Sequence, residues 1–360
     1  MILILFAYII LMFTIWLVLI GASFIGILAR RELGREVGEE SENIKDPKIL
    51  LMVPCKGDDI NLVRNLKSAM NQDYKSYRAV AIIESTKDPA YKAISKAGID
   101  YIIGDYKCEG SGKVRSISAA LDKFKDYDAY CIMDSDVHVD KSWLSLLAKN
   151  LTKGVGISTS FPIFNPIGGF YSKLKHVWGF VGQSLMEREQ TRFGWGGSLL
   201  FRRELLDGGG LKRFSSSLSD DITLTNMAKD KGLKIVYVPE ARPIVDCDET
   251  LGSFAEWSNR QSALMALGNR QILKIGIAYY SSSILLLLSA IALSITVSVW
   301  YAILLLPFVI GVVGTYMRSN RRGIEILLAC ASLNFIYLYN MLSASSMRSI
   351  RWRGRTYQLR

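Results

Sequence analysis

The stretch from Ala129 to Asp136 reads AYCIMDSD, an apolar run that ends in two carboxylates, Asp134 and Asp136, one residue apart. A continuous apolar run of this length, followed at once by polar residues, is typical of a strand that is buried on both faces of a sheet. Ligands of parallel sheets bind beyond the carboxyl ends of the strands. The two carboxylates therefore stand where a functional site is expected.

The flanking sequence alternates between strand-like and helix-like segments. Buried strands are predicted at 48–54 (KILLMVP), 78–84 (RAVAIIE), 99–103 and 129–133, and helices at 61–71, 89–97 and 113–124. This alternation predicts an α/β fold with a mostly parallel sheet covered on both faces. Polar residues also follow the first two strands, so we expect them at the same edge of the sheet as Asp134.

Several kinds of site are excluded by the turns and the cysteines. No dinucleotide-type glycine fingerprint and no phosphate-loop lysine motif opens any of the predicted helices. The five cysteines have no paired spacing, which argues against a disulfide framework or a zinc site.

Acidic residues occupy the turns instead. Asp134 and Asp136 can share one hard divalent cation, which in turn can hold a diphosphate. An Asp-rich turn without a metal is the structural alternative. His138 continues the alternation, and a solvated or core-edge histidine is its more ordinary role.

A second acidic cluster, Ser219-Asp220-Asp221, precedes a helical stretch at 222–231. One of these three side chains is enough to cap the N-terminus of the helix and to compensate its dipole. The surplus carboxylate is a candidate base that removes a proton from an acceptor hydroxyl in an in-line displacement.

Three stretches carry no charge: 1–29, 275–317 and 326–347. At roughly 20 apolar residues per crossing they predict one, two and one membrane spans. The first lacks the features of a cleaved signal peptide and is expected to remain as an anchor. Arg30, Arg31 and Arg35 follow it, which predicts that the next segment lies in the cytoplasm.

The formal net charge of +11 lies mainly beside these spans. Two arginine clusters account for most of it: Arg318, Arg321 and Arg322, and then Arg348, Arg351, Arg353, Arg355 and Arg360. This pattern indicates anionic-lipid contact and topology signals and excludes nucleic acid as the expected partner. Four spans would place the basic tail outside, against the positive-inside rule. Either 326–347 lies along the interface, or 275–317 does not cross twice.

Together the motifs resemble those of a known family. Their order in the chain is Pro54-Cys55-Lys56-Gly57, Asp88-Pro89-Ala90, Lys113 after a glycine-rich turn, Asp134-Ser135-Asp136, Gly197-Ser198 with Arg202-Arg203, and Asp220-Asp221. This order is similar to that of ceramide glucosyltransferase-like enzymes, which are inverting glycosyltransferases of families 2 and 21. The resemblance covers roughly residues 48–265 and implies a GT-A-type fold, a nucleotide-diphosphate sugar donor and a divalent metal, Mn²⁺ or Mg²⁺.

The resemblance also implies roles for individual residues. Pro54, Lys56 and Glu84 would contact the uracil and ribose, and Lys113 the nucleotide. Asp134 would meet the donor sugar or ribose and, with Asp136, the metal. Asp221 would be the general base, with Asp220 beside it.

One motif departs from the family. In the family, the catalytic domain ends with a motif that consists of Gln or Arg, any two residues, and then Arg-Trp. This chain has Glu256-Trp257-Ser258-Asn259-Arg260-Gln261 in the corresponding place. Arg260, with Gln261, would still hold the diphosphate, and Trp257 would line the acceptor pocket because it lies on the same helical face as Arg260. An amphipathic helix resting on the membrane is the equal alternative. The departure argues against processive polymer synthesis.

The aromatic-rich segment from Phe161 to Trp195 can dip into the lipid interface and frame an acyl or prenyl acceptor, with core packing as the alternative. We expect an integral multi-pass membrane protein with an anchor helix at 1–29, a cytoplasmic domain at 30–274 (its interfacial helix at 254–274), two or three transmembrane helices at 275–347 and a basic tail at 348–360. It would transfer one sugar from a nucleotide-diphosphate sugar to a membrane lipid. A polyprenyl-phosphate glycosyltransferase and a catalytically silent, sugar-nucleotide-binding scaffold are the alternatives.

Overall fold

The computed structural model describes residues 2–36, 46–268 and 270–359. The chain divides into two compact units. The α/β unit comprises 35–165 and 181–247, and the helical unit comprises 1–34, 166–180 and 248–360. We interpret the charged segment at 31–48 as a tether from membrane to domain, and its residues 37–45 lie outside those described, as does Arg360.

The strands and helices follow in chain order. The strands are β1 (Ile49–Pro54), β2 (Tyr77–Ile83), β3 (Tyr101–Ile103), β4 (Ala129–Met133), β5 (Val137–His138), β6 (Val155–Thr159), β7 (Ile163–Pro166), β8 (Ser198–Arg202), β9 (Lys234–Tyr237), β10 (Ile244–Cys247), β11 (Ser349–Trp352) and β12 (Arg355–Gln358). The helices are α1 (Ile2–Glu36), α2 (Leu62–Met70), α3 (Ala90–Ala97), α4 (Gly112–Lys123), α5 (Trp143–Lys149), α6 (Phe170–Trp178), α7 (Phe180–Met186), α8 (Gly210–Ser215), α9 (Asp220–Asp230), α10 (Leu251–Gly268), α11 (Arg270–Thr296), α12 (Leu306–Arg318) and α13 (Ile324–Ser346).

The main sheet of the α/β unit has the strand order β3-β2-β1-β4-β8-β6-β9. The pairs β1–β2, β1–β4, β2–β3 and β6–β9 are parallel, and β8 is antiparallel to both of its neighbours. Strands β5, β10 and β7 form a smaller sheet. The predicted α/β class with a mostly parallel sheet is therefore confirmed.

Burial explains why the apolar runs became strands. All five residues of β4 are buried, as are the first five of β1. The core on one face of the sheet includes Val114 and Ile117 from α4 and Leu224 and Met227 from α9, each at most 3% exposed. These helices place their first turns, and the side chains those turns carry, near the carboxyl ends of the strands.

In the helical unit, four described helical segments are long and apolar enough to cross a membrane: Leu3–Ser23, Arg270–Thr296, Val299–Arg318 and Ile324–Ser346. This confirms the expected apolar helices at both ends of the chain. Met12 and Leu19 of α1 form a buried cluster with Leu286, Ala290 and Leu293 of α11. The predicted basic tail at 348–360 contains the hairpin β11–β12. Arg353 (φ 48°) and Gly354 (φ 76°) both adopt the left-handed conformation that a tight two-residue turn requires.

Candidate active site

The turns after β1 and β2 lie side by side at the carboxyl edge of the main sheet. The ammonium of Lys56 lies 3.1 Å from Oε2 of Glu84, and a guanidinium nitrogen of Arg115 lies 3.8 Å from Oε1 of the same carboxylate. The backbone N–H of Gly57 donates to Oδ1 of Asp88 at 2.8 Å, which ties the two turns together. Pro54 ends β1 and is half-buried. The sequence-predicted nucleoside contacts Pro54, Lys56 and Glu84 thus share one edge of the sheet.

Lys113 is at the centre of the site. Its ammonium nitrogen lies 2.7 Å from Oδ1 of Asp134 and 2.8 Å from Oδ2 of Asp220, and it donates to the carbonyl of Gly196 at 3.3 Å. The Lys113 side chain is 11% exposed. A single cation therefore connects the end of β4, the first turns of α4 and α9, and the loop before β8.

Carboxylates outnumber cations around this ammonium. Burial alone would lower the pKa of Lys113, but the nearby carboxylates of Asp134, Asp220 and Asp221 outweigh it and raise that pKa above its usual range. The pKa of Asp220 is raised from 3.8 to about 7: burial is the main cause, Lys113 opposes it, and Asp221 and Asp134 add to it. The cluster carries surplus negative charge, which favours a further cation in its neighbourhood.

The two neighbouring aspartates differ in access. Asp220 is 3% exposed, whereas Asp221 is half-buried. Oδ1 of Asp221 accepts a hydrogen bond from the backbone N–H of Ile222 at 2.7 Å and a short one from the Ser219 hydroxyl. Asp221 is therefore fixed in position and still reachable by a substrate, whereas Asp220 is occupied by Lys113.

The glycine-rich loop at 194–197 closes over this ion pair. The N–H of Gly194 donates to Oγ1 of Thr225 on α9 at 2.9 Å, and that of Trp195 donates to Oγ1 of Thr159 at 3.0 Å. A Cβ at Gly196 would lie 2.7 Å from Oδ2 of Asp220 and 2.9 Å from the ammonium of Lys113. Only glycine lets the backbone approach this closely. Trp195, predicted to line the acceptor path, is half-buried in this same loop.

The metal-ligand candidates are partly arranged for a divalent cation. Asp136 is half-buried, and its neighbour Ser135 is fixed by a hydrogen bond of 2.5 Å from its hydroxyl to Oδ2 of Asp59. Nδ1 of His138 is buried without a hydrogen-bond partner in the described part of the chain, and burial lowers the pKa of this ring. Among residues 2–36, 46–268 and 270–359, no three Asp, Glu, His or Cys side chains converge on one metal position. One or two carboxylates are nevertheless enough when substrate phosphates complete the coordination, so the oxygen ligands present here fit a divalent metal.

The remaining predicted residues belong to the helical unit. Trp257, Arg260 and Gln261 lie on α10. The ring of Trp257 packs against that of Trp178 at 4.8 Å, and the ammonium of Lys175 lies 4.5 Å from its centre. Their contact with diphosphate or acceptor stays a prediction.

Sequence patterns did not identify several residues that shape the site. Thr159 and Thr225 fix the loop at 194–197 but have no distinguishing local pattern. The run Gly194-Trp195-Gly196-Gly197 was the available signal for a close backbone approach. In the helical unit, the buried ion pair between Lys175 and Glu249 (2.6 Å) was likewise not foreseen.

Comparison with known proteins identifies the family. A family model described as glycosyl transferase family 21 matches residues 8–360. The chain belongs to this family. It is therefore a nucleotide-sugar glycosyltransferase, as the motif resemblance implied.

Solved structures show a more distant likeness to this family 21 protein. A mannosyltransferase from Pyrobaculum calidifontis, solved with GDP-Man and Mn²⁺, is 15% identical over 92% of this chain and 85% of that chain, with a TM-score of 0.48. Glucosyl-3-phosphoglycerate synthase from Mycobacterium tuberculosis, solved with Mn²⁺ and UDP-Glc, is 15% identical over 62% of this chain and 79% of that chain, with a TM-score of 0.41.

Proposed function

We propose that this protein transfers one sugar from a nucleotide-diphosphate sugar, a UDP-sugar, to a hydroxyl or phosphate of a membrane lipid at the cytoplasmic face. The observation that carries the proposal is the cluster in which Lys113 joins Asp134 to Asp220 while Asp221 stays accessible. It brings one buried cation, a strand-end carboxylate and a candidate base to the same edge of the sheet.

Asp221 is the proposed general base. It would take the proton from the acceptor hydroxyl as that oxygen attacks the anomeric carbon, and the nucleotide diphosphate would leave from the opposite face. The configuration at that carbon would be inverted, and no covalent intermediate with the protein would form. The hydrogen bonds from Ile222 and Ser219 keep the Asp221 carboxylate oriented during this step.

Lys113 and Asp220 would orient the reacting groups. Lys113 holds Asp134 at the end of β4, where the donor sugar or ribose is expected, and fixes the first turn of α9, which carries Asp221. Lys56 and Glu84, which are paired with each other, would receive the nucleoside beside Pro54. A donor would thus extend along the carboxyl edge of the sheet.

Asp136, with Asp134, would hold the divalent metal. When bound, Mn²⁺ or Mg²⁺ supplies positive charge that stabilises the departing diphosphate. Because Lys113 already engages Asp134, we assign the larger share of the metal coordination to Asp136.

The lipid acceptor is supported by the helical unit. Four described segments with the length and composition of membrane spans belong to the same chain as the α/β unit. A water-soluble acceptor would not require this attachment. Within the α/β unit, the ring of Phe161 lies edge-on to Phe193 and tilted to Trp195, with ring centres 6.2 and 5.9 Å apart, and these aromatic side chains beside the loop at 194–197 would suit an acyl or prenyl chain.

The test uses the purified full-length protein, a panel of nucleotide sugars, Mg²⁺ or Mn²⁺, and a membrane lipid extract. We expect a glycolipid from the wild type and none from Asp221→Asn. The matched control is Asp230→Asn at the far end of α9, whose side chain is exposed and pairs with Arg213. A glycosylated polyprenyl phosphate would place the acceptor in that lipid class. Donor binding without turnover by the wild type would indicate a silent scaffold and refute the proposal.

A further inference from the structure

The buried side of α2 carries polar side chains beside its leucines. Asn65 is fully buried, Ser68 is 8% exposed, and Gln72, two residues beyond the end of the helix, is 9% exposed. Asn65 and Ser68 are three residues apart and therefore lie on the same side of the helix. Helix α2 packs against β5, the short strand that follows Asp136. Because an unpaired buried polar group costs free energy, each of these side chains is expected to have a specific partner.

Ser68 and Gln72 bind the main chain that follows β5. The N–H of Val139 donates to the Ser68 hydroxyl at 3.3 Å. The side-chain amide of Gln72 donates to the carbonyl of Asp140 at 3.0 Å, and its oxygen accepts from the N–H of Leu144 at 2.9 Å. These contacts fix the path of the main chain from 139 to 144 against α2.

Asn65 binds the turn at 134–136 itself. Its side-chain amide donates to the carbonyl of Ser135 at 3.0 Å and to that of Ile60 at 3.3 Å. Ser135 is 4% exposed and lies in the chain between the two candidate metal ligands, Asp134 and Asp136. A buried hydrogen bond to its carbonyl restrains the peptide group that joins Ser135 to Asp136.

Asp59 holds the side chain of the same serine. The Ser135 hydroxyl donates to Oδ2 of Asp59 at 2.5 Å, and hydrogen bonds to an ionised acceptor are the stronger ones. Asp59 belongs to the loop between β1 and α2, which also carries the candidate nucleoside contact Lys56. Ser135 is thus held through both its carbonyl and its hydroxyl, and both partners come from the loop and helix that follow β1.

We propose that Asn65 and Asp59 are positioning residues, which hold the turn at 134–136 in the conformation that binds the divalent cation. The inference rests on the proposed function, in which Asp136, with Asp134, holds that metal. Side chains that orient metal ligands typically change the metal affinity by about 10- to 100-fold when they are removed. Without them, binding of the cation must also order the turn, and part of the binding free energy is lost to that step.

The metal requirement of UDP binding tests the role of Asn65. Calorimetric titration of purified full-length protein with UDP, at a series of Mn²⁺ concentrations, gives the concentration at which binding is half-maximal. Asn65→Leu keeps a side chain of similar size and loses both hydrogen bonds. It should raise the half-maximal Mn²⁺ concentration by about 10- to 100-fold, with UDP affinity at saturating Mn²⁺ close to that of the wild type. An unchanged Mn²⁺ requirement in folded Asn65→Leu would overturn the proposal.

Gln72→Met separates positioning from stability. It removes buried hydrogen bonds to Asp140 and Leu144 of the same segment, so its melting temperature should fall at least as much as that of Asn65→Leu. Its Mn²⁺ requirement should nevertheless stay close to that of the wild type, because the turn at 134–136 keeps its own partners. Equal rises in the two variants would trace the effect to lost stability and refute the role of Asn65.

Two substitutions of Asp59 separate its hydrogen bond from its charge. Asp59→Ala removes the acceptor of the Ser135 hydroxyl, whereas Asp59→Asn removes the charge and keeps an acceptor oxygen. We expect a higher Mn²⁺ requirement in Asp59→Ala and a requirement close to that of the wild type in Asp59→Asn. Asp59 is half-buried in a loop, so this pair also decides the proposal if Asn65→Leu does not fold. Equal Mn²⁺ requirements in the two variants would contradict positioning.

The same titration of Asp136→Ala distinguishes this inference from the proposed function. If Mn²⁺ dependence is lost in Asp136→Ala and unchanged in Asn65→Leu, the positioning role fails and the metal site stands. If the wild type has no Mn²⁺ dependence, or if Asp136→Ala retains it, the metal site and the positioning role both fail. If the titrations behave as expected but the wild type forms no glycolipid, the proposed transfer fails and the positioning role stands.

Discussion

The ammonium nitrogen of Lys113 lies 2.8 Å from Oδ2 of Asp220, and the two side chains are 11% and 4% exposed. This contact joins the first turn of α4 to the first turn of α9. It decides which of two adjacent aspartates is available for chemistry, because Asp220 is occupied and Asp221 is not buried with it.

Removing the central cation should destabilise the protein. Lys113→Met leaves buried carboxylates without their partner, and breaking one side of a buried ion pair typically costs about 3–5 kcal/mol. We expect the free energy of unfolding to fall by this amount at pH values above the pKa of Asp220. Lys125→Met, at an exposed pair with Asp122, should change it by less than about 1 kcal/mol.

A double substitution separates charge from packing. Asp220→Asn in the Lys113→Met background removes one uncompensated carboxylate, so the double variant should regain part of the lost stability. The coupling energy of this cycle measures the interaction. Strictly additive effects would mean that the two side chains do not interact as described.

The raised pKa of Asp220 predicts a pH dependence of stability. Its pKa rises from 3.8 to about 7 on folding, so the folded state binds this proton more tightly than the unfolded state. The stabilising contribution is fully present below 3.8 and is lost as the pH rises through about 7. The melting temperature of the wild type should therefore fall relative to that of Asp220→Asn as the pH rises through this range. A constant difference would contradict a raised pKa.

The backbone of the loop at 194–197 approaches the Lys113–Asp220 ion pair so closely that one added methyl group should disturb it. Gly196→Ala places a Cβ within 2.9 Å of both members of the ion pair, so the side chains must separate. We expect transfer activity to fall by at least about tenfold, which corresponds to about 1.4 kcal/mol in the barrier. Gly252→Ala on α10, where the nearest atom is 3.9 Å away, is the matched control and should remain active.

The local parts of this structure could be predicted from the sequence. Strand β4 has the predicted bounds, and β1 and α9 differ from theirs by one or two residues, because apolar runs and turn residues act locally. The family resemblance likewise identified Lys113, Asp134 and Asp220 as members of one site.

The way these residues meet could not be predicted. Strand β8 enters the main sheet antiparallel between β4 and β6, and this brings the loop at 194–197 beside Lys113. No local pattern encodes such a strand order. The contacts of α6 with α13 are equally non-local.

The metal hypothesis rests on Asp136. Asp136→Ala should abolish both transfer and metal-dependent binding of the nucleotide sugar, since its carboxylate is the proposed ligand. Asp140→Ala, an exposed carboxylate four residues further on, should leave both unchanged. Calorimetric titration of donor with and without Mn²⁺ provides the measurement. Metal-dependent binding that survives in Asp136→Ala would rule out this assignment.

The central claim is that Asp221 is the base of a sugar transfer to lipid. The most direct measurement is glycolipid formation by purified wild type, Asp221→Asn and Asp230→Asn, with donor binding recorded for each. Loss of a general base typically lowers the rate by about 10²- to 10⁴-fold, so product should vanish in Asp221→Asn while donor binding persists. Asp230→Asn should form product like the wild type. Undiminished transfer by Asp221→Asn would contradict the account.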